Sequence, residues 1–181
     1  MKLKALLFAT AAVATLATSC KKDENKSTNG TPTAPGASTL TAGTGYVAFN
    51  TDKSFNGKTS HVYKSQPPTD NSVANNSSNT VTIQNTQTQI SGTSIGNTAA
   101  VQLQIRSVKA GSFDFTGTNV TFVISVTNGA TLSEGYAMES GTLEVTKFSN
   151  EEIEGKFSGK GVNDDANASI NITNGTFSAK F

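Results

Sequence analysis

From residue 45 onward, apolar residues recur at every second position in a series of short runs. Val101, Leu103 and Ile105 alternate with Gln102, Gln104 and Arg106, and Phe122, Ile124 and Val126 with Val123 and Ser125. Leu143 and Val145 alternate with Thr142, Glu144 and Thr146, and Ile170 and Ile172 with Ser169, Asn171 and Thr173. Phe177, Ala179 and Phe181 alternate with Thr176, Ser178 and Lys180, which places Ser178 on a solvent face. Ile153 and Phe157 share a face with Gly155 and Gly159, opposite Glu152, Glu154 and Lys156, and Phe113 and Phe115 flank Asp114. A period of two gives each strand one apolar and one polar face, as a half-buried antiparallel sheet requires. No segment after the first twenty residues carries a 3.6-residue period.

Turn residues punctuate these runs. Asn174-Gly175 lies between two alternating segments and suits a type I′ hairpin, whose two central residues need positive φ. Asn56-Gly57 and Asn128-Gly129 are similar, and Ser149-Asn150 reads as a further tight connection. Short N-terminal strands are expected near Tyr46–Asn50, Ser54–Phe55 and His61–Lys64, and a short pair at Thr80–Asn85 and Thr88–Ser91. The polar stretch Gln66–Asn79, with Pro67-Pro68 and Asn75-Asn76-Ser77-Ser78-Asn79, reads as the longest loop. The predicted fold class is all-β: an antiparallel β-sandwich or a partly closed β-barrel built from hairpins. Abundant Asn, Thr, Ser and Gly in place of Leu, Ala and Glu agree with strands joined by tight turns.

The first residues follow a different pattern. Lys2 and Lys4 precede an apolar run from Ala5 to Ala17, then Thr18-Ser19 and Cys20, the only cysteine. The run covers roughly 20 Å as a helix, short of the ~30 Å hydrocarbon core, so it reads as a secretory leader and not as a spanning anchor. With Leu16-Ala-Thr-Ser-Cys20 it resembles the signal peptide and lipobox of a bacterial lipoprotein. The resemblance implies a signal peptide over 1–19, Cys20 as the lipid-bearing mature N-terminus, and attachment to the outer membrane through that lipid. The implied partners are the membrane and the lipoprotein processing and export machinery. Lys22-Asp23-Glu24 resembles the export signal of surface lipoproteins in some Bacteroidetes, which favours surface display over the periplasmic face. Residues 20–44 carry Leu40 as their only sizeable apolar side chain beyond the cysteine and are expected to form a flexible tether. A single all-β domain follows over 45–181.

Three C-terminal segments carry a second resemblance. Gly141-Thr-Leu-Glu-Val-Thr-Lys-Phe148, Ile153-Glu-Gly-Lys-Phe-Ser158 and Ile170-Asn-Ile-Thr-Asn-Gly-Thr-Phe-Ser-Ala-Lys-Phe181 look like a pattern common in small uncharacterised Bacteroidetes lipoproteins. The pattern implies strands and a closing hairpin. It brings no catalytic residue.

Charge removes several function classes. Of the 14 Lys+Arg, Lys2 and Lys4 leave with the leader, so 12 face the 13 Asp+Glu of the whole chain. A near-neutral protein without a basic stripe has no electrostatic footprint for nucleic acid. With one thiol it forms no internal disulfide. The lone His61 has no second His or thiolate in the domain to build a zinc site with, and no Gly-x-Ser-x-Gly elbow accompanies it. It reads as a solvent-facing or structural residue. Glu152 and Glu154 share a strand face roughly 7 Å apart, within the range of glycosidase carboxylates. A charged solvent face is the preferred reading. Asp164-Asp165, in a turn-rich segment, offers oxygens to calcium without full EF-hand spacing, and acidic turn residues are common anyway. No catalytic residue, cofactor or metal is assigned. The expectation is a lipid-anchored, non-catalytic cell-envelope or surface protein. The alternative is a glycan- or small-ligand-binding module of a nutrient-uptake system, although the chain has no Trp and three Tyr for stacking.

Overall fold

The computed structural model describes residues 34–65, 70–91, 94–128 and 131–181. Among the described residues, ten strands join in one antiparallel sheet: β1 (Thr44–Phe55), β2 (Lys58–Tyr63), β3 (Asp70–Ser77), β4 (Thr80–Ser91), β5 (Ser94–Arg106), β6 (Gly111–Asp114), β7 (Val120–Asn128), β8 (Thr131–Phe148), β9 (Glu152–Asn163) and β10 (Ala168–Lys180). Their order is β2-β1-β10-β9-β8-β7-β5-β4-β3, with β6 against β8. Neighbours in the sheet are mostly neighbours in the chain, and the β1–β10 ladder brings the two ends of the domain together. The all-β expectation holds, in its partly closed barrel form. The sheet curls until β3 reaches the start of β1, where the Ala74 N–H donates to the Gly43 carbonyl at 2.7 Å.

The alternating apolar residues fill the inside of the curl. Val47, Phe49, Phe55, Ile83, Leu103, Ile124, Leu143, Ile153 and Phe177 are each fully buried. Phe157 and Phe177 each pair with a glycine across the β9–β10 ladder, Gly175 and Gly155 respectively. A Cβ at Gly175 would lie 2.6 Å from the Phe157 ring, and one at Gly155 would lie 2.3 Å from the Phe177 ring. Each bare backbone makes room for its neighbour's ring.

The Asn56-Gly57 turn forms as expected, with φ of 50° and 74°, joining β1 and β2. Asn174-Gly175 does not. β10 runs through it without reversing, and its ladder with β9 passes from Ile172↔Gly159 to Gly175↔Phe157, leaving one extra residue on β10. Asn174, at φ 52°, supplies the left-handed residue of a β-bulge and not of a hairpin. The inward residues are nevertheless those read from the sequence. A two-residue turn and a one-residue bulge both place Ile172 and Phe177 on the same face, so alternation cannot separate the two.

The expected Gln66–Asn79 loop contains a strand. β3 pairs with β4 continuously from Asp70↔Gln87 to Ser77↔Thr80, and Ser78-Asn79 makes the turn with φ of 51° and 58°. Its side chains are nearly all polar, so backbone pairing at the sheet's end holds a segment whose composition favours turns. Thr80–Asn85 and Thr88–Ser91 belong to the single strand β4. The tether expectation also changes at its C-terminal end. Ala37–Thr39 forms one 3-10 turn, and Ala37 is fully buried, so chain that packs on the barrel begins before residue 45.

Candidate functional site

Inside the curl, an aromatic cluster surrounds the single histidine. His61 on β2 is 5% exposed, its ring stacked on Phe49 at 4.9 Å between centroids and met edge-on by Phe55 at 5.5 Å. Nε2 lies 3.3 Å from the Thr51 hydroxyl, whose oxygen is 2.7 Å from the Lys53 carbonyl. Burial, and then the nearby Lys58 charge, lower the imidazole from 6.5 to about 4. The solvent-facing option is thereby excluded, and the ring stands as a neutral packing element. Phe122 and Phe157 extend the cluster, 4.7 Å apart.

The carboxylates lie outside. Lys147 reaches Glu152 at 2.6 Å and Glu154 at 4.0 Å, and Lys156 pairs with Glu144 at 3.0 Å. The Glu152 side chain, first, raises the Lys147 ammonium above its usual range. Glu154 Oε1 also accepts the Ala37 N–H at 2.8 Å. Both Glu152 and Glu154, read from sequence as one charged face, thus have a cation or a backbone donor beside them. Asp164-Asp165 sits in the turn between β9 and β10, where the Ala166 N–H donates to Asn163 Oδ1 at 3.0 Å. Among the described residues, no three His, Cys, Asp or Glu side chains converge as a metal site would need. Asp52 binds the Asn171 backbone N–H and side-chain amide, each at 2.7 Å, and the backbone donor foremost holds its carboxyl below the usual range.

The feature that sequence reading missed lies on the outer face where β1, β10 and β9 run side by side. Tyr46, Ser178 and Glu154 sit in register there, Tyr46 opposite Ser178 and Ser178 opposite Glu154. The Ala37–Thr39 turn contacts β9 and β10 on this face. Tyr46 falls to 8% exposure, its phenol raised by burial, and Ser178 is fully buried with its hydroxyl unpartnered. The outward orientation expected of Ser178 is correct, but its exposure is not. A groove of about 660 Å³ flanks the segment, lined by Thr39, Leu40, Thr41, Thr44, Tyr46, Lys64 and Ser65. A smaller one of about 220 Å³ lies over Thr146, Lys156, Thr176 and Ser178. A second buried anomaly is Asn85, on β4, fully enclosed with neither amide atom hydrogen-bonded.

Cys20 and Lys22-Asp23-Glu24 lie outside the described residues. No family model, curated protein or solved structure matches this chain.

Proposed function

We propose that the chain is a lipid-anchored, non-catalytic cell-envelope protein, held to the outer membrane through Cys20 and displayed on the cell surface. The observation that carries this reading is the leader, with its basic start, short apolar run and lone cysteine after Leu16-Ala-Thr-Ser19. The domain is in keeping with it: the curl is packed with side chains, its histidine is a neutral stacking group, and the paired glutamates face lysines and a backbone amide. Mass spectrometry of the membrane-extracted protein should find a mature chain beginning at acylated Cys20, and Cys20→Ser should leave the precursor unmodified. An unacylated chain beginning elsewhere ends the proposal. Protease shaving of intact cells should reach the domain, and retention of the protein inside after alanine replacement of Lys22-Asp23-Glu24 would support the export signal.

A second reading is a glycan-binding module, favoured by the larger groove, where Thr39, Thr41, Thr44 and Ser65 offer hydroxyls beside Lys64. Tyr46 contributes little ring surface there at 8% exposure. A glycan array on the full chain separates the two, because the first reading expects no binding that Lys64→Ala abolishes.

A further inference from the structure

We propose that residues 34–40 are a releasable clasp that sets how far the barrel stands from the Cys20 anchor, a role that rests on the lipoprotein reading. The segment is built to dock. Ala37, small enough to sit flush on the sheet, is fully buried, and its N–H donates to Glu154 Oε1 at 2.8 Å. The turn closes on itself through the Thr39 N–H to the Gly36 carbonyl at 2.9 Å, the Leu40 N–H to the Ala37 carbonyl at 3.0 Å and the Thr39 hydroxyl to the Gly36 carbonyl at 2.7 Å. The patch near it, Tyr46 and Ser178, is on the outer side of the sheet, yet is shielded from water.

The docking is thin. Grooves of about 220 and 660 Å³ border the segment, and the buried Ser178 hydroxyl has no partner. Glu154 is shared, since Lys147 lies 4.0 Å from the same Oε1 that accepts the Ala37 N–H. A segment with few apolar anchors and open space on either side belongs to the low end of local opening energies. Released, the seven residues 34–40 add at most about 25 Å of extended chain to the connection between Cys20 and the barrel. Glu154 is the latch and Ala37 the tooth it holds.

Hydrogen exchange read by mass spectrometry on the full chain tests this without reference to acylation, so that Cys20→Ser protein must behave as the wild type does. The amides of residues 37–40 should exchange about tenfold or more slowly than an unprotected chain. In Ala37→Arg, whose side chain cannot be buried there, and in Glu154→Ala, that protection should vanish while β9 and β10 amides keep theirs. Unprotected exchange in the wild type overturns the clasp, as does protection that survives Ala37→Arg. Parallel loss across β9 and β10 also overturns it, because the segment would then be an inseparable part of the fold. If the clasp passes and the mass of the membrane-extracted chain shows no lipid, the anchor reading alone fails.

Discussion

His61 and Ser178 occupy buried places that alternation alone would not give them, and each sets a measurable response. The folded state holds the His61 imidazole at about 4, while the unfolded chain binds its proton at about 6.5. The unfolded chain therefore takes up the proton first as pH falls, and stability present above about 6.5 is lost progressively toward 4. The full effect is up to about 3 kcal/mol. Urea midpoints at pH 7 and about 4.5 should differ accordingly, and His61→Phe, which keeps the stack on Phe49, should flatten the difference. A slope unchanged in that variant would assign the pH response to other groups. Ser178 carries a hydroxyl with no acceptor or donor in reach, so Ser178→Ala should raise stability by up to about 1 kcal/mol. Phe177→Ala, one residue away and facing the aromatic interior, should cost about 3–5 kcal/mol. A clear loss in Ser178→Ala would mean that the hydroxyl has a partner under the 34–40 segment.

At the scale of elements, β10 depends on one residue. Its extra residue near Asn174 shifts the alternation by one, so that Ile170 and Ile172 before it and Phe177 and Ala179 after it all point inward. Deleting Asn174 should turn Phe177 and Ala179 outward and prevent cooperative folding, because a one-residue slip reverses every later side chain. Asn174→Gly should be tolerated, since glycine takes a φ of 52° without strain. Cross-strand nuclear Overhauser contacts discriminate the arrangements directly. The bulge expects Ile172 near Gly159 and Phe177 near Gly155, whereas a hairpin would place Ile172 beside Phe177. Folding of the deletion variant with native stability would rule out the bulge.

For the whole molecule, the question is how the curl closes. β1 meets β3 at its start and is then paired with β2, so the junction depends on few groups. Ser72 Oγ accepts the Gly45 N–H at 2.7 Å and donates to the Gly45 carbonyl at 2.8 Å, both buried. Gln87 Nε2 donates to the Val62 carbonyl at 2.6 Å in an exposed setting. Ser72→Ala strands a buried backbone donor and should cost about 1–3 kcal/mol in chemical denaturation. Gln87→Ala, where water replaces the lost partner, should stay within about 0.5 kcal/mol. Equal effects would mean that the junction is wetted throughout.

The alternation of Val101 to Ile105, Phe122 to Val126 and Ile170 to Ala179 by itself determined the strand class and most of the inward residues, because burial of one face is a local property that each segment writes for itself. The glutamates were legible as an outer charged face for the same reason. Partnership is not local. Whether Asn174 turns or bulges depends on β9 lying alongside it through the whole length of β10. Whether Asp70–Ser77 is a loop or a strand depends on β4, which offers a ladder to a sequence with little to bury. The groove and the covered Ser178 were invisible because residues 34–46, Lys64-Ser65 and β9–β10 come together only when β1 pairs with β10. An apolar stripe encodes which way a side chain points, and only the curled sheet decides what lies against it.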